Sequence, residues 1–404
     1  MVRGIWLKHR KKEKGSVMEI QELIKCSIMR GGTSKAVFFM RSDLPTDEEL
    51  RGRVIRRVFG APDPREIDGL GGADPLTSKV AIIGPSTRED CHIDYLFGQV
   101  NMVEPMIDYV GNCGNISAAV GPFAIDEGLV EVVEPKTTVR IHQVNTKSVI
   151  IAEVPTRDGK AEVEGAHVIA GVPGTGAKII LDFSDSAGAI TGKLLPTGNL
   201  TDTLQVEGEG DFEVSLVDAA NPLVFIRAED LGLTGAETPQ EIDADAELLA
   251  RIEKIRSFAA ERIGLVDDWR KATHERPYIP FFACCTHPKT YTNWTTGEKV
   301  NEEAVDLTVR LLFMQRMHKT YPVSGTICTV AASMIPGTIA NQVAREGIIE
   351  RGELRIGHPG GVITSEGKVD LEKGAFLLRR ATVDRTARCL MKGYAFIPQG
   401  TVSA

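Results

Sequence analysis

No apolar run in the chain approaches the roughly 20 residues that a membrane-crossing helix needs. The basic start, residues 1–14, lacks the apolar centre of a signal peptide. Residues 1–17 read as a disordered tail, with Met18 as credible a start as Met1. The seven cysteines (Cys26, Cys91, Cys113, Cys284, Cys285, Cys328 and Cys389) include no C-x-x-C, and the eight histidines include no H-x-x-x-H. Metal-ligand spacing is therefore missing. An odd number of scattered thiols fits a reducing cytoplasm rather than a disulfide framework. No G-x-G-x-x-G follows a strand pattern and no Walker loop occurs, so nucleotide binding has no support. Excess positive charge is missing too. Lys and Arg number 47 against 55 Asp and Glu, a net charge of −8. Nothing global steers the chain to nucleic acid or an anionic membrane, and an anionic substrate would need a local positive site.

What is present is a globular composition, 42% apolar and 25% charged, in a chain of 404 residues. That length predicts two domains. The apolar content permits a homo-oligomer, a dimer or a tetramer. Apolar runs at 25–29 and 36–40 flank a Gly-Gly turn and predict a hairpin. A helix is expected over 43–59, with Thr46 as its N-cap. A Gly-rich loop over 67–79 delivers Lys79 to a strand at 80–83. Further strands are expected at 94–100, 130–133, 138–142 and 148–154. Residues 171–203 carry the crossing to a second block, with strands at 212–217, 223–226 and 278–285 and helices at 243–263 and 302–317. Strands return over 375–397. Runs of strands interrupted by single helices point to an α+β fold rather than alternating βαβ units. Cys284 and Cys285, adjacent on a strand, face opposite ways and read as packing.

The centre of the chemistry is Asp108-Tyr-Val-Gly-Asn-Cys-Gly-Asn-Ile-Ser-Ala-Ala-Val120. Gly111, Asn112, Gly114 and Asn115 tolerate the turns that larger residues resist. The small apolar run after them predicts a helix, which puts Cys113 and the N–H groups of Gly114 and Asn115 at a helix start. Such a place binds carboxylates and activates a thiol; the alternative is a turn with a buried cysteine. The second block repeats this logic at Ser324-Gly-Thr326, ahead of small residues at 328–334.

A thiol at a helix start, a lysine in a Gly-rich loop and a second Gly/Thr turn suggest proton abstraction beside a carboxylate, with the proton returned elsewhere. Two helix starts facing one cleft would stabilise the charge that develops. Lys79 is the candidate base and must be sheltered from water to act as one; a solvated surface lysine is the alternative. Ser34 either bonds a substrate carboxylate, orients Lys79 or serves only its own turn. Arg30, Lys35, Lys319 and Arg355 are candidate carboxylate binders or surface charge. His318 and His358 cap turns or are satisfied core histidines.

Four stretches occur in order: Met29-Arg-Gly-Gly-Thr-Ser-Lys35, Asp68-Gly-Leu-Gly-Gly-Ala-Asp-Pro-Leu-Thr-Ser-Lys79, Tyr109-Val-Gly-Asn-Cys-Gly-Asn115 and Gly357-His-Pro-Gly-Gly361. Together they resemble the PrpF family over about residues 26–398. Ala73-Asp-Pro-Leu-Thr-Ser-Lys79, Gly114-Asn-Ile-Ser117, Leu312-Phe-Met-Gln315, His318-Lys-Thr-Tyr321 and Ile335-Pro-Gly-Thr-Ile-Ala-Asn-Gln-Val343 look like its 3-methylitaconate Δ-isomerase branch. The resemblance implies two similar diaminopimelate-epimerase-like domains, each a curved, mainly antiparallel sheet around a central helix, with the active site in the cleft between them. It implies a domain of residues 18–190 plus 385–404 carrying Lys79 and Cys113, and one of residues 191–384 carrying the 324–326 turn.

It further implies a cofactor-free, metal-free isomerase that moves a C=C bond in a small unsaturated di- or tricarboxylate. Lys79, Cys113 and Ser34 would be the catalytic residues. Arg30, Thr33, Gly114, Asn115, Ser324, Gly325, Thr326, His318 and Lys319 would bind the substrate. 3-Methylitaconate to dimethylmaleate leads. The alternatives are a 2-methylaconitate or aconitate isomerase, a 4-oxalomesaconate tautomerase, or a non-catalytic carboxylate-binding accessory protein. A two-thiol racemase is disfavoured, because Ser324 stands where such enzymes place a second cysteine.

Overall fold

The computed structural model describes residues 21–109, 112–169 and 171–401. The expected tail at 1–17, the choice between Met1 and Met18, and Gly111 lie outside them. In the first half of the chain, Gln21–Gly31 and Ser34–Met40 form the expected hairpin. Gly32 turns it at φ +50°, where a Cβ would meet Asn115 Oδ1 at 2.2 Å. Only glycine fits so close a left-handed turn.

The strands Gln21–Gly31, Ser34–Met40, Lys79–Pro85, Ile93–Val100, Lys136–Gln143, Ser148–Arg157 and Ile179–Asp182 then join in a fixed series. The pairings run antiparallel, parallel, antiparallel, parallel, antiparallel, antiparallel. In the second half, Gly210–Ala219, Asn221–Arg227, Phe281–Thr286, Leu307–Phe313, Glu353–His358, Gly361–Glu372 and Ala375–Arg385 join in the same series. Each half places a long helix between its second and third strands, Glu48–Phe59 and Ala246–Arg262, the second half adding the short helices Pro239–Ala244 and Ala272–Glu275 there. Each places another between its fourth and fifth, Gly114–Asp126 and Val323–Ser333. The faint resemblance between the halves is thus a repeat of topology.

The latter helices are the two centres around which the sheets curl. Ile116 to Ile125 and Gly325 to Ser333 are buried throughout. A helix apolar on every side belongs inside a protein. Small residues let the sheet close on it: a Cβ on Gly121 would lie 2.8 Å from Val154 Cγ2. One strand stitches the halves together. Ala375–Arg385 pairs with Gly361–Glu372 through its first part, and its Thr382, Val383, Asp384 and Arg385 pair with Ile179–Asp182. Ala387–Pro398 then returns to Gln21–Gly31.

Several expectations are corrected. The helix predicted over 302–317 is mostly the strand Leu307–Phe313. It is buried on both faces from Leu307 to Leu312, Thr308 and Arg310 included, so its polar residues mark no exposed face and the usual sign of a half-exposed strand is lost. Residues 130–133 form no strand. The first helix begins at Glu48, and Asp47, not Thr46, caps it: its Oδ1 accepts from Leu50 N at 2.8 Å. The helix expected from 243 begins at Ala246, where the Asp245 side chain caps it. Cys284 and Cys285 do face opposite ways, into two different apolar clusters.

Candidate active site

Strand periodicity puts one set of side chains on the face that surrounds the Gly114–Asp126 helix. Ala36 pairs with Lys79, which pairs with Gln99. Successive residues alternate faces, so Ser34, Ala36, Lys79, Phe97 and Gln99 share this inner face. Lys79 is 7% exposed. Its Nζ donates to Gln99 Oε1 at 2.6 Å and lies 5.4 Å from the centre of the Phe97 ring. Gln99 Nε2 in turn donates to the carbonyls of Ser78 and Pro75 at 3.0 and 3.2 Å.

The glycine-rich loop is pinned just before the lysine. Glu66 Oε2 accepts from Ser78 Oγ at 2.5 Å and from Ala73 N at 2.8 Å. A Cβ on Gly69 would sit 2.1 Å from Gly60 N, so the loop packs directly on the end of the Glu48–Phe59 helix. Ser34 is 2% exposed, and its Oγ has no partner among the described residues. A buried hydroxyl without a partner is costly and signals a group that the site itself does not supply.

Cys113 is the N-cap of the inner helix, in extended conformation, and its side chain caps nothing. Its thiol is left for other use, half-buried. Gly114 is required next to it, because a Cβ would lie 2.4 Å from Val323 Cγ1 of the second helix. The two buried helices therefore meet start to start. Asn115 ties the thiol's turn to the hairpin: its Nδ2 donates to Thr33 Oγ1 at 3.1 Å. Its Oδ1 accepts from Arg385 Nε at 2.9 Å. The phenol of Tyr95 is sealed behind the turn, beside Ser117 and Cys113. Burial, and the nearby sulfur, push it up.

The second helix start is organised differently. Its N-cap is Pro322, and Ser324 Oγ accepts from Asn221 Nδ2 at 2.9 Å. Gly325 is needed for close packing, since a Cβ would lie 2.8 Å from Leu311 Cδ1. Thr326 is fully buried and spends its hydroxyl on the Pro322 carbonyl. His318 Nδ1 accepts from Thr320 N at 3.1 Å, and burial pushes its ring down. Lys319 lies over Trp294, 5.6 Å from the ring centre. His358 is 1% exposed; its Nδ1 accepts from Gly360 N at 3.1 Å, and Nε2 has no partner among the described residues. Burial, and then Arg310, His318 and Arg385, push its ring down to about 3, so it is neutral near pH 7. Cys328, one turn into the helix, gives its Sγ to the Val217 carbonyl, and burial pushes the thiol up. It is no second acid at the helix start.

The structure thus gathers Ser34, Thr33, Cys113, Gly114, Asn115 and Ser324 around two helix starts, with Lys79 on the adjoining inner face. It does not bring Arg30 to them. Arg30 and Lys35 are paired on the outer face, and Arg30 Nη1 donates to the carbonyls of Gly32 and Thr386, both at 2.9 Å. Arg355 is spent on buried Asp306, at 2.8 Å. Sequence reasoning missed Gln99, Tyr95 and Arg385. Gln99 carried a signal, since its register partner is the lysine; Arg385 carried none, 270 positions from the asparagine that it bonds.

Residues 21–398 match the PrpF protein family. This chain belongs to the PrpF family. It is similar to the 3-methylitaconate isomerase of Eubacterium barkeri, at 50% identity over 94% of this chain and 98% of that one. It is 41% identical to the 4-oxalomesaconate tautomerase of Pseudomonas putida, over 94% of this chain and 98% of the relative. The crystal structure of a methylitaconate-delta-isomerase superposes with a TM-score of 0.91 at 49% identity, covering 95% of this chain and 98% of the other. The PrpF chain is an isomerase, and the fold expected from the resemblance is the one observed.

Proposed function

We propose that this PrpF isomerase moves a C=C bond through an allylic 1,3-proton shift in a small unsaturated diacid, with 3-methylitaconate to dimethylmaleate as its reaction. The observation that carries the reading is the buried Lys79 amine on the same inner face as the unpartnered Ser34, beside the Cys113 helix start. The named relative at 50% identity supports the choice of acid. A base removes the proton from the carbon that bears the methyl group. Its electron pair forms the new C=C bond, and the old double bond takes a proton at its methylene, which becomes the second methyl. Atoms balance without an oxidant or a reductant, and the steps use protein groups alone.

Lys79 is the base in this proposal, and Cys113 is the second proton carrier. Gly114 and Asn115 offer helix-start N–H groups to one carboxylate, and the Ser324 turn faces the other. Gln99 fixes the direction of the lysine. The accessory-protein alternative would need no proton carrier. The experiment is NMR in D₂O with 3-methylitaconate, 2-methylaconitate, aconitate and 4-oxalomesaconate. The expected result is conversion of 3-methylitaconate with deuterium entering the product methyl. Conversion of another acid instead reassigns the substrate, and no exchange in any of them sinks the reading.

We further propose that the enzyme acts in the cytoplasm as a homo-oligomer. Leu23 and Phe396 are register partners, and with Tyr394 they are 48%, 61% and 57% exposed on one sheet. Sedimentation of a monomer at micromolar concentration would refute it.

A further inference from the structure

We propose that Arg385 is the cation that receives one carboxylate of the substrate at the Cys113 helix start. The inference rests on the reading of the substrate as a diacid and names a binding residue for it.

Three observations carry it. First, the guanidinium is held but not neutralised. Its Nε donates to Asn115 Oδ1 at 2.9 Å and its Nη1 to the Asp384 carbonyl at 2.8 Å. Among the described residues its Nη2 has no partner, and no carboxylate forms a salt bridge with it. The adjacent Asp384 carboxylate is already taken by Lys178 at 2.6 Å. Second, the group is placed by the site's own framework. A Cβ on Gly32 would meet Arg385 Cδ at 3.1 Å, so the hairpin tip and the helix start enclose the side chain between them. Third, the four cations that the sequence offered are placed elsewhere: Arg30 on backbone carbonyls, Lys35 beside it on the outer face, Lys319 on Trp294 and Arg355 on Asp306.

A half-buried guanidinium without a counter-ion is unfavourable until an anion arrives. Burial pushes it down to about 10, against the pull of Asp384 and Cys113, so it remains a cation near pH 7. In a chain of net charge −8 this is the local positive site that an anionic substrate needs. One carboxylate oxygen would accept from Nη2, and the other from the N–H groups that open the helix. The planar fork matters, because two of its nitrogens are held in place while the third is offered.

The test measures binding of inert saturated acids by competition: methylsuccinate as the diacid, with 2-methylbutanoate and 3-methylbutanoate as monoacids. In the wild-type enzyme we expect methylsuccinate to bind at least about tenfold tighter than the better monoacid, the scale of one hydrogen bond to a charged group. In Arg385→Gln that ratio falls toward one, and in Arg385→Lys it falls part-way. A ratio taken within one variant is insensitive to a fraction of misfolded protein. Should Arg385→Gln not fold, the Arg385→Lys ratio decides alone. A ratio unchanged by substitution overturns the role of Arg385, whether the affinities stay high or fall together. The same wild-type sample is assayed for C=C migration. Failure there counts against the proposed reaction, and an unchanged ratio with normal migration counts against Arg385 only.

Discussion

The two halves of the molecule share one topology and differ in what they place at matching points. Register makes the match exact to the residue. Lys79 faces Ala36, two positions after Ser34; Phe281 faces Leu223, two positions after Asn221. Where the first half has the Lys79–Gln99 hydrogen bond at 2.6 Å, the second has Phe281 and Phe313 in an edge-on pair at 5.4 Å. Where the first half leaves Ser34 unpartnered, the second ties Asn221 to Ser324 at 2.9 Å. The first helix start has a thiol as N-cap, and the second has Pro322. A repeated fold has kept both helix starts, which attract carboxylates, while reactive side chains occupy one half only. On the proposed reading both helix starts hold the substrate, one carboxylate each, and only the first half moves protons.

The contrast can be broken from the largest effect to the smallest. Lys79→Ala is expected to lower kcat by about 10³-fold or more, within the range of a lost proton carrier, with the melting curve unchanged. Cys113→Ala is expected to lower it by about 10²-fold, and Ser324→Ala far less. Steady-state rates check both. Phe281→Ala, the positional twin of Lys79, is expected to cost about 3 kcal/mol or more of stability as a core truncation, with the rate per folded molecule retained. Denaturant melts with active-site titration separate the two quantities. Gln99→Leu is expected to reduce kcat by about tenfold, because it frees the lysine from its anchor without removing it.

The last contrast concerns pH. The neutral His358 ring is disfavoured from protonating in the folded chain, with its pKa pushed down to about 3, whereas an exposed histidine titrates near 6.5. The unfolded chain therefore binds the extra proton first. Stability contributed by this group is whole above about pH 6.5 and declines by roughly 1.4 kcal/mol per pH unit below it, until the folded ring protonates too. His358→Asn should flatten the acid limb of a stability profile between pH 6 and 4.

Much of the candidate site was legible because its residues sit in short turns whose chemistry is local. Gly-Gly before Ser34, the loop before Lys79 and the Gly/Asn turn around Cys113 each announce a special backbone. What was illegible depends on strands meeting across long separations. The run from Leu307 to Phe313 reads as a helix until one knows that it lies between Phe281–Thr286 and Glu353–His358, buried on both sides. Arg30 looked like a site cation because it neighbours the Gly-Gly turn; one step of strand alternation sends it to the outer face. Arg385 has no turn or motif beside it to single it out, and only the return of the last strands brings it to Asn115.

The most direct test of the asymmetry is deuterium incorporation by wild-type, Lys79→Ala and Phe281→Leu enzymes supplied with 3-methylitaconate in D₂O. Deuterated dimethylmaleate is expected from the wild type and from Phe281→Leu, and from Lys79→Ala only at a rate lower by about 10³-fold or more. Product formation by Lys79→Ala at a rate near wild type would contradict it.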